Sequence, residues 1–182
     1  FGRSLAINLD LLSAEPGNAD YRQAVAVAYL KTGDVYFDAA DAATALSFHQ
    51  KASDTLAPLA EQNADATAKR ELALFLNRIA ADQRSLGDLA GAVASDTRAI
   101  AIQQEIARPD PLNEQSNLDL ANYQHSLAES YLRLGKRPEA AALLKKAVAV
   151  YEASLRKNPS DAEVAEYMAA ARRLLAGIDA GR

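Results

Sequence analysis

Apolar side chains return along this chain at intervals of three, four and seven residues, in blocks of roughly twenty. One block holds Tyr21, Val25, Ala28, Tyr29 and Tyr36, with Thr32 in step. A second holds Ala68, Leu72, Phe75, Leu76 and Ile79, and a third Leu120, Tyr123, Leu127, Tyr131 and Leu134. Ala140, Leu144, Ala147, Val148, Tyr151 and Leu155 form another. Such spacing puts each set on one face of a helix. Helix-breaking stretches separate the blocks: Ala14-Glu15-Pro16-Gly17-Asn18, Ala40-Asp41, Gly87-Asp88, Pro109-Asp110-Pro111, Gly135-Lys136 and Asn158-Pro159. The pattern predicts helices over 2–14, 19–39, 42–62, 65–86, 89–107, 113–134 and 137–157, with Asn18 as an N-cap. A last helix, to about 177, opens on Ser160-Asp161-Ala162-Glu163, read as a capping box in which the serine oxygen takes the Glu163 amide. Pro58 should kink its helix or end it near Thr55. The expectation is an all-helical chain, roughly four-fifths of its residues in these segments, and no strand.

The blocks repeat. Ala45, Ala92 and Ala140 are separated by 92 − 45 = 47 and 140 − 92 = 48 residues, and each is followed seven residues later by a second alanine, Ala52, Ala99 and Ala147. Just before each first alanine lies one of the breaker pairs Ala40-Asp41, Gly87-Asp88 and Gly135-Lys136. Twelve residues before it lies a small side chain, Gly33, Ala80 or Ala128. Small residues at fixed offsets around a turn are what two antiparallel helices need where their backbones approach. Each repeat is therefore a helical hairpin. Lys31-Thr32-Gly33-Asp34 resembles a helix stop, but this register places Gly33 inside a helix, where glycine costs about 1 kcal/mol relative to alanine and permits close approach.

Within each repeat, a small residue, a residue three further on (Tyr36, Gln83, Tyr131), a turn pair and alanines seven apart follow the order of the tetratricopeptide signature, W-x2-L-G-x2-Y…A-x3-F…P. Tyr29…Thr32-Gly33…Tyr36…Ala45…Ala52, Leu76…Ile79-Ala80…Gln83…Ala92…Ala99 and Gln124…Leu127-Ala128…Tyr131…Ala140…Ala147 carry the resemblance. No repeat has the tryptophan. The period exceeds the family's 34 residues by about 13, roughly two extra turns on each helix of the hairpin. The resemblance implies an all-α fold, an α-α superhelix of antiparallel hairpins forming one solenoid over 1–182. Its parts are the end of an incomplete repeat (1–14), repeat 1 (18–62), repeat 2 (63–108), repeat 3 (111–157) and a C-terminal capping helix (160–179). Leu5, Leu9 and Leu12 continue the apolar stripe, and Ala6 lies 46 residues before Ala52. The chain is therefore expected to start inside a repeat, as the C-terminal region of a longer protein.

Composition narrows the function. The chain has 182 residues, 49% hydrophobic and 24% charged, without cysteine or tryptophan. Its 20 Lys plus Arg against 24 Asp plus Glu give a net charge of −4, which argues against nucleic acid as a partner. No run of eighteen apolar residues suits a membrane span. The absence of cysteine removes disulfides and thiolate metal sites and fits cytoplasm or periplasm. The cytoplasm is expected, or the periplasm if the segment is the tail of a membrane-spanning kinase. His49 and His125 stand 76 residues apart in different repeats and are read as structural or solvated, and the glycines form no phosphate loop. No catalytic residue, metal ligand or cofactor is expected, and Asp34 with Asp38 is read as a solvated pair.

By the same resemblance, the first helix of each hairpin lines a concave surface that takes a protein or peptide. The matching positions are Lys31, Asp34 and Asp38 in repeat 1, Asn77, Arg78 and Arg84 in repeat 2, and Asn122, His125, Glu129 and Arg133 in repeat 3. The charge is acidic, then basic, then mixed. Chaperone-binding members hold a C-terminal carboxylate with Lys, Asn and Arg, but the corresponding residues here are Leu30, Asp34, Arg78, Asn122 and Ser126, so a chaperone tail is not the expected ligand. The reading is a non-catalytic interaction scaffold. Two alternatives stand beside it: a regulatory tail, because Glu15-Pro16-Gly17-Asn18-Ala19 resembles the start of repeats that follow bacterial serine/threonine kinase domains, and a homo-oligomerisation module.

Overall fold

The computed structural model describes residues 2–62 and 66–180. Eight helices run through them: α1 (Gly2–Ala14), α2 (Ala19–Asp38), α3 (Ala42–Gln62), α4 (Ala66–Leu86), α5 (Leu89–Ala107), α6 (Glu114–Arg133), α7 (Arg137–Lys157) and α8 (Ala162–Ala180). There is no strand among the described residues. A total of seven undercounts the segments that the pattern itself marks out, which are eight: three hairpins supply six helices, and α1 and α8 flank them. The expected opening of repeat 2 at residues 63–65 lies outside the described residues.

The register is set where the sequence placed it. Gly33 is buried inside α2, and a Cβ there would collide with the His49 imidazole on α3. The hairpin turns fall at Ala40, Gly87 and Gly135, all with positive φ (60°, 85° and 75°) and spaced 47 and 48 residues apart. Each turn closes with the same bonds. The amide one past the left-handed residue reaches back five residues, Asp41 to Tyr36, Asp88 to Gln83 and Lys136 to Tyr131, at 2.9, 2.8 and 2.8 Å. This is the Schellman arrangement that satisfies a helix's last carbonyls, and glycine is its usual left-handed residue.

Helix starts repeat too. Asn18 accepts from the amides of Asp20 and Tyr21, Asn113 from Ser116, and Asp161 from Val164. The expected capping box is thus corrected: Asp161, one residue later, caps α8, while the Ser160 hydroxyl donates to Asn158 Oδ1. Asp161 sits 48 residues after Asn113, so the repeat register, and not the local box, selects the cap. Pro58 does not end its helix near Thr55, one of the two outcomes expected of it. Helix α3 runs through it to Gln62, and Leu56 and Ala60 on either side are 0% and 3% exposed. Their burial offsets the hydrogen bond that proline cannot donate.

The chain divides into two compact bodies, Phe1–Ser95 and Asp96–Arg182. In the first, α1 packs on α2, α2 on α3 and α3 on α4. Tyr36 stacks on Phe48 with centroids 5.5 Å apart, and Lys51 Nζ lies 5.1 Å over the Phe48 ring. In the second, α6 packs on α7 and α7 on α8 around Leu144, Tyr151, Val164, Ala171 and Ile178. Every second helix buries the same four positions, separated by four, three and four residues. They are Ala45, His49, Ala52 and Leu56; Ala92, Asp96, Ala99 and Gln103; Ala140, Leu144, Ala147 and Tyr151. All are at most 1% exposed.

Candidate functional site

The residues expected to meet a partner lie on α2, α4 and α6, because first helices turn one face to their hairpin partner and leave the other toward solvent. On the first body, Asp34 of α2 and Arg78 of α4 come together. Arg78 Nε lies 3.4 Å from Asp34 Oδ1, and the two side chains are 49% and 36% exposed. Asp34 Oδ1 also lies 3.5 Å from His49 Nε2, while His49 Nδ1 lies 2.6 Å from Asp82 Oδ2. His49 and Asp82 are fully buried. A four-residue line therefore runs from the surface inward: Arg78, Asp34, His49, Asp82.

Electrostatics follow from that order. Burial works against a charge on His49, but hydrogen bonding and attraction from Asp34 and Asp82 outweigh it and raise its pKa to about 9. Burial likewise works against ionised Asp34, yet His49 and then Arg78 hold its carboxyl below the usual carboxylate range. The imidazolium is thus a buried cation flanked by two carboxylates. Lys31 and Asp38 are exposed on the same helix as Asp34. Asn77 and Arg84 of α4 are half-buried, and each is engaged within the chain.

On the second body, Asn122 Oδ1 accepts the Tyr151 hydroxyl at 2.8 Å. Burial, and then the neighbouring Tyr167, push the Tyr151 phenol well above its ordinary pKa, so it remains a donor. His125 is 8% exposed and presents little to a partner, and its Nε2 lies 3.9 Å from Glu129 Oε1. Glu129 and Arg133 are more open to solvent. Among the described residues no group of three His, Asp or Glu side chains has the arrangement of a metal site, and no helix is long and apolar enough to cross a membrane.

Sequence reasoning left His49 as structural or solvated and missed the buried polar Asp82, Asp96 and Gln103. Asp96 Oδ2 accepts from the Ser126 hydroxyl at 3.0 Å, and Gln103 Nε2 donates to the Ser116 carbonyl at 3.0 Å. The signal was there in the register. His49 and Asp96 each stand four residues after a marker alanine, where repeat 3 has Leu144.

Residues 120–161 match the family model of the tetratricopeptide repeat. The crystal structure of BtubC (BKLC) from P. vanneervenii is similar with a TM-score of 0.59 at 16% identity, over 100% of this chain and 71% of that one. A de novo designed helical repeat protein, DHR64, aligns over 97% of this chain and 90% of its own at 15% identity and a TM-score of 0.37. Comparison with proteins of curated function finds no match. With a matched repeat in its second body and the same caps, turns and buried stripe recurring along its length, the chain is a tetratricopeptide-like helical repeat protein of the α-α solenoid class.

Proposed function

We propose that the chain is a non-catalytic protein-interaction scaffold that takes a partner segment along the solvent face of its first helices. The observation that carries this reading is the Asp34–Arg78 pair, which joins neighbouring first helices at an exposed place. Around it, Lys31, Asp38, Asn77 and Arg84 give a surface of mixed charge, with both arginines on α4. On the second body, Asn122, Glu129 and Arg133 take the corresponding role on α6, while the nearly buried His125 stands behind them. An acidic stretch in the ligand suits α4: a carboxylate arriving at Arg78 replaces Asp34, which His49 continues to hold.

The test is selection of binders from a displayed peptide library, followed by anisotropy titrations against the parent and the Arg78→Glu/Arg84→Glu double variant. Exposed pairs contribute about 0.2–1 kcal/mol each, so the double variant should bind acidic peptides roughly two- to thirtyfold more weakly, and most so at low salt. A matched melting curve confirms an intact fold. Equal affinity of both proteins overturns the reading.

A further inference from the structure

Three described loops that lead into a helix after the end of another hairpin share one design. Glu15-Pro16-Gly17-Asn18, Asp110-Pro111-Leu112-Asn113 and Asn158-Pro159-Ser160-Asp161 stand in repeat register (110 − 15 = 95, 158 − 110 = 48). In each, the amide of the fourth residue donates to the carbonyl of the first, at 3.0, 3.1 and 3.2 Å, and the fourth side chain caps the helix that follows. In the first two, Arg22 Nη2 and Asn117 Nδ2 donate to the proline carbonyl at 2.8 and 3.0 Å. The third position is Gly17, Leu112 or Ser160, so the turn closes without an apolar side chain there. Yet Leu112 is 88% exposed, the most exposed large apolar side chain among the described residues. Its own amide donates to Asp110 Oδ1 at 3.2 Å, which adds a further bond to the loop that carries it. Beside it, within the second body, a cleft of about 370 Å³ opens between the start of α6 and the end of α7. Leu118, Ala149, Val150 and Ala153 give the cleft an apolar floor. On its rim Lys157 Nζ lies 3.2 Å from Glu114 Oε2, one cation against one anion.

We propose that Leu112 and this cleft are the two halves of a contact between two copies of the chain, related by a two-fold axis, in which each copy seats its Leu112 in the cleft of the other. A closed two-fold contact requires one patch to carry both a feature and its complement, and here the knob and the hole adjoin. Charge selects the same occupant. A rim with one carboxylate and one ammonium is its own complement, so the axis that seats the leucines brings Lys157 of each copy toward Glu114 of the other. A strongly acidic or strongly basic partner meets no opposing excess there. The apolar surface that a monomer leaves in water supplies the driving force, and the bonded loop holds the knob in place before contact. None of the residues assigned to the partner surface takes part, so the dimer and the scaffold reading fail separately.

Sedimentation equilibrium of the full chain, at concentrations up to about 1 mM, tests the contact. A reversible monomer–dimer equilibrium is expected. Leu112→Ser installs the residue that the equivalent loop carries at Ser160, so the turn is kept. Because two seated leucines are lost per dimer, the dissociation constant should rise at least about a hundredfold. Ala149→Glu, at an exposed position on the cleft floor, should weaken the dimer from the other side of the same contact. Melting curves by circular dichroism that match the parent confirm both folds. The Arg78→Glu/Arg84→Glu protein should dimerise as the parent does. A chain that stays monomeric throughout, or a dimer indifferent to either Leu112→Ser or Ala149→Glu, overturns the proposal. A monomer whose cleft takes an apolar peptide selected from a displayed library, with binding lost in Ala149→Glu, also overturns it and assigns the cleft to a partner.

Discussion

His49 and Asp82 occupy positions that later repeats fill differently, and the comparison measures what each residue is for. In the repeat register His49 corresponds to Asp96 and Leu144, and Asp82 to Ser130 and Ile178; all six are buried. The same two positions carry an ion pair first, Asp and Ser next, and an apolar pair last. His49→Leu alone leaves the Asp82 carboxylate buried without its counter-charge, a loss of about 3–5 kcal/mol by the general behaviour of broken buried pairs. His49→Leu with Asp82→Ile imports the apolar pair of the last repeat and should return stability to that of the parent or above it. Urea titrations of the single and double variants check this, and a double variant no better than the single would show that the pair is not a separable unit. The pair was illegible in the sequence because helical periodicity is read from apolar residues, and a buried His at a stripe position looks like a solvated one. Its partner is 33 residues away and on another helix, so no local spacing announces it. By contrast Gly33 was legible, since alanine stands in its place in the other two repeats.

At the level of helices and turns, most of the architecture was readable because each boundary has its own chemistry, repeated three times. The turn after α2 is the exception in residue type. Ala40 takes φ 60°, a conformation its equivalents Gly87 and Gly135 adopt without a Cβ clash. A left-handed alanine costs roughly 1–2 kcal/mol, and glycine's greater freedom in the unfolded chain takes back about half of the gain, so Ala40→Gly should stabilise by roughly 0.5–1 kcal/mol. Gly135→Ala should do the reverse. Thermal melts of the two variants moving in the same direction would show that turn strain does not set the difference. The cap of α8 gives a second check. Asp161→Ala removes the acceptor for the Val164 amide and should cost about 1 kcal/mol, whereas Ser160→Ala should stay within about 0.5 kcal/mol. The capping-box pattern misplaced this start because Ser160 and Glu163 satisfy a local rule, while the chain enters α8 one residue later, in step with Asn18 and Asn113. The ending near Thr55 that Pro58 suggested fails for the same reason: a local breaker was weighed without the burial of Leu56 and Ala60 on either side.

For the whole molecule, the two bodies differ in what their seams are made of, and pH should separate them. The first body contains the His49 line, the second a seam of Leu144, Tyr151 and Ile178. Stability in repeat proteins is close to a sum of local terms, so one body can loosen while the other holds. His49 has a folded pKa of about 9 against 6.5 for the free side chain. Its contribution is therefore complete below pH 6.5, shrinks above it, and is gone once pH passes about 9. Asp34 has the opposite sign: its lowered pKa stabilises above the ordinary 3.8 and is lost as pH falls through the depressed value. The first body should thus be firmest between about pH 4 and pH 6.5. Tyr151, its phenol held up by burial and by Tyr167, keeps donating to Asn122 well into alkali, so the bond joining α6 to α7 persists where the His49 line is lost. Hydrogen–deuterium exchange at about pH 6.5 and 9.5, corrected for intrinsic rates, should show α2, α3 and α4 losing protection while α7 and α8 retain it. The His49→Leu/Asp82→Ile protein should lose the difference between the two pH values. Equal loss in both bodies, or a difference that survives in the double variant, would place the alkaline weakness elsewhere than in the buried imidazolium.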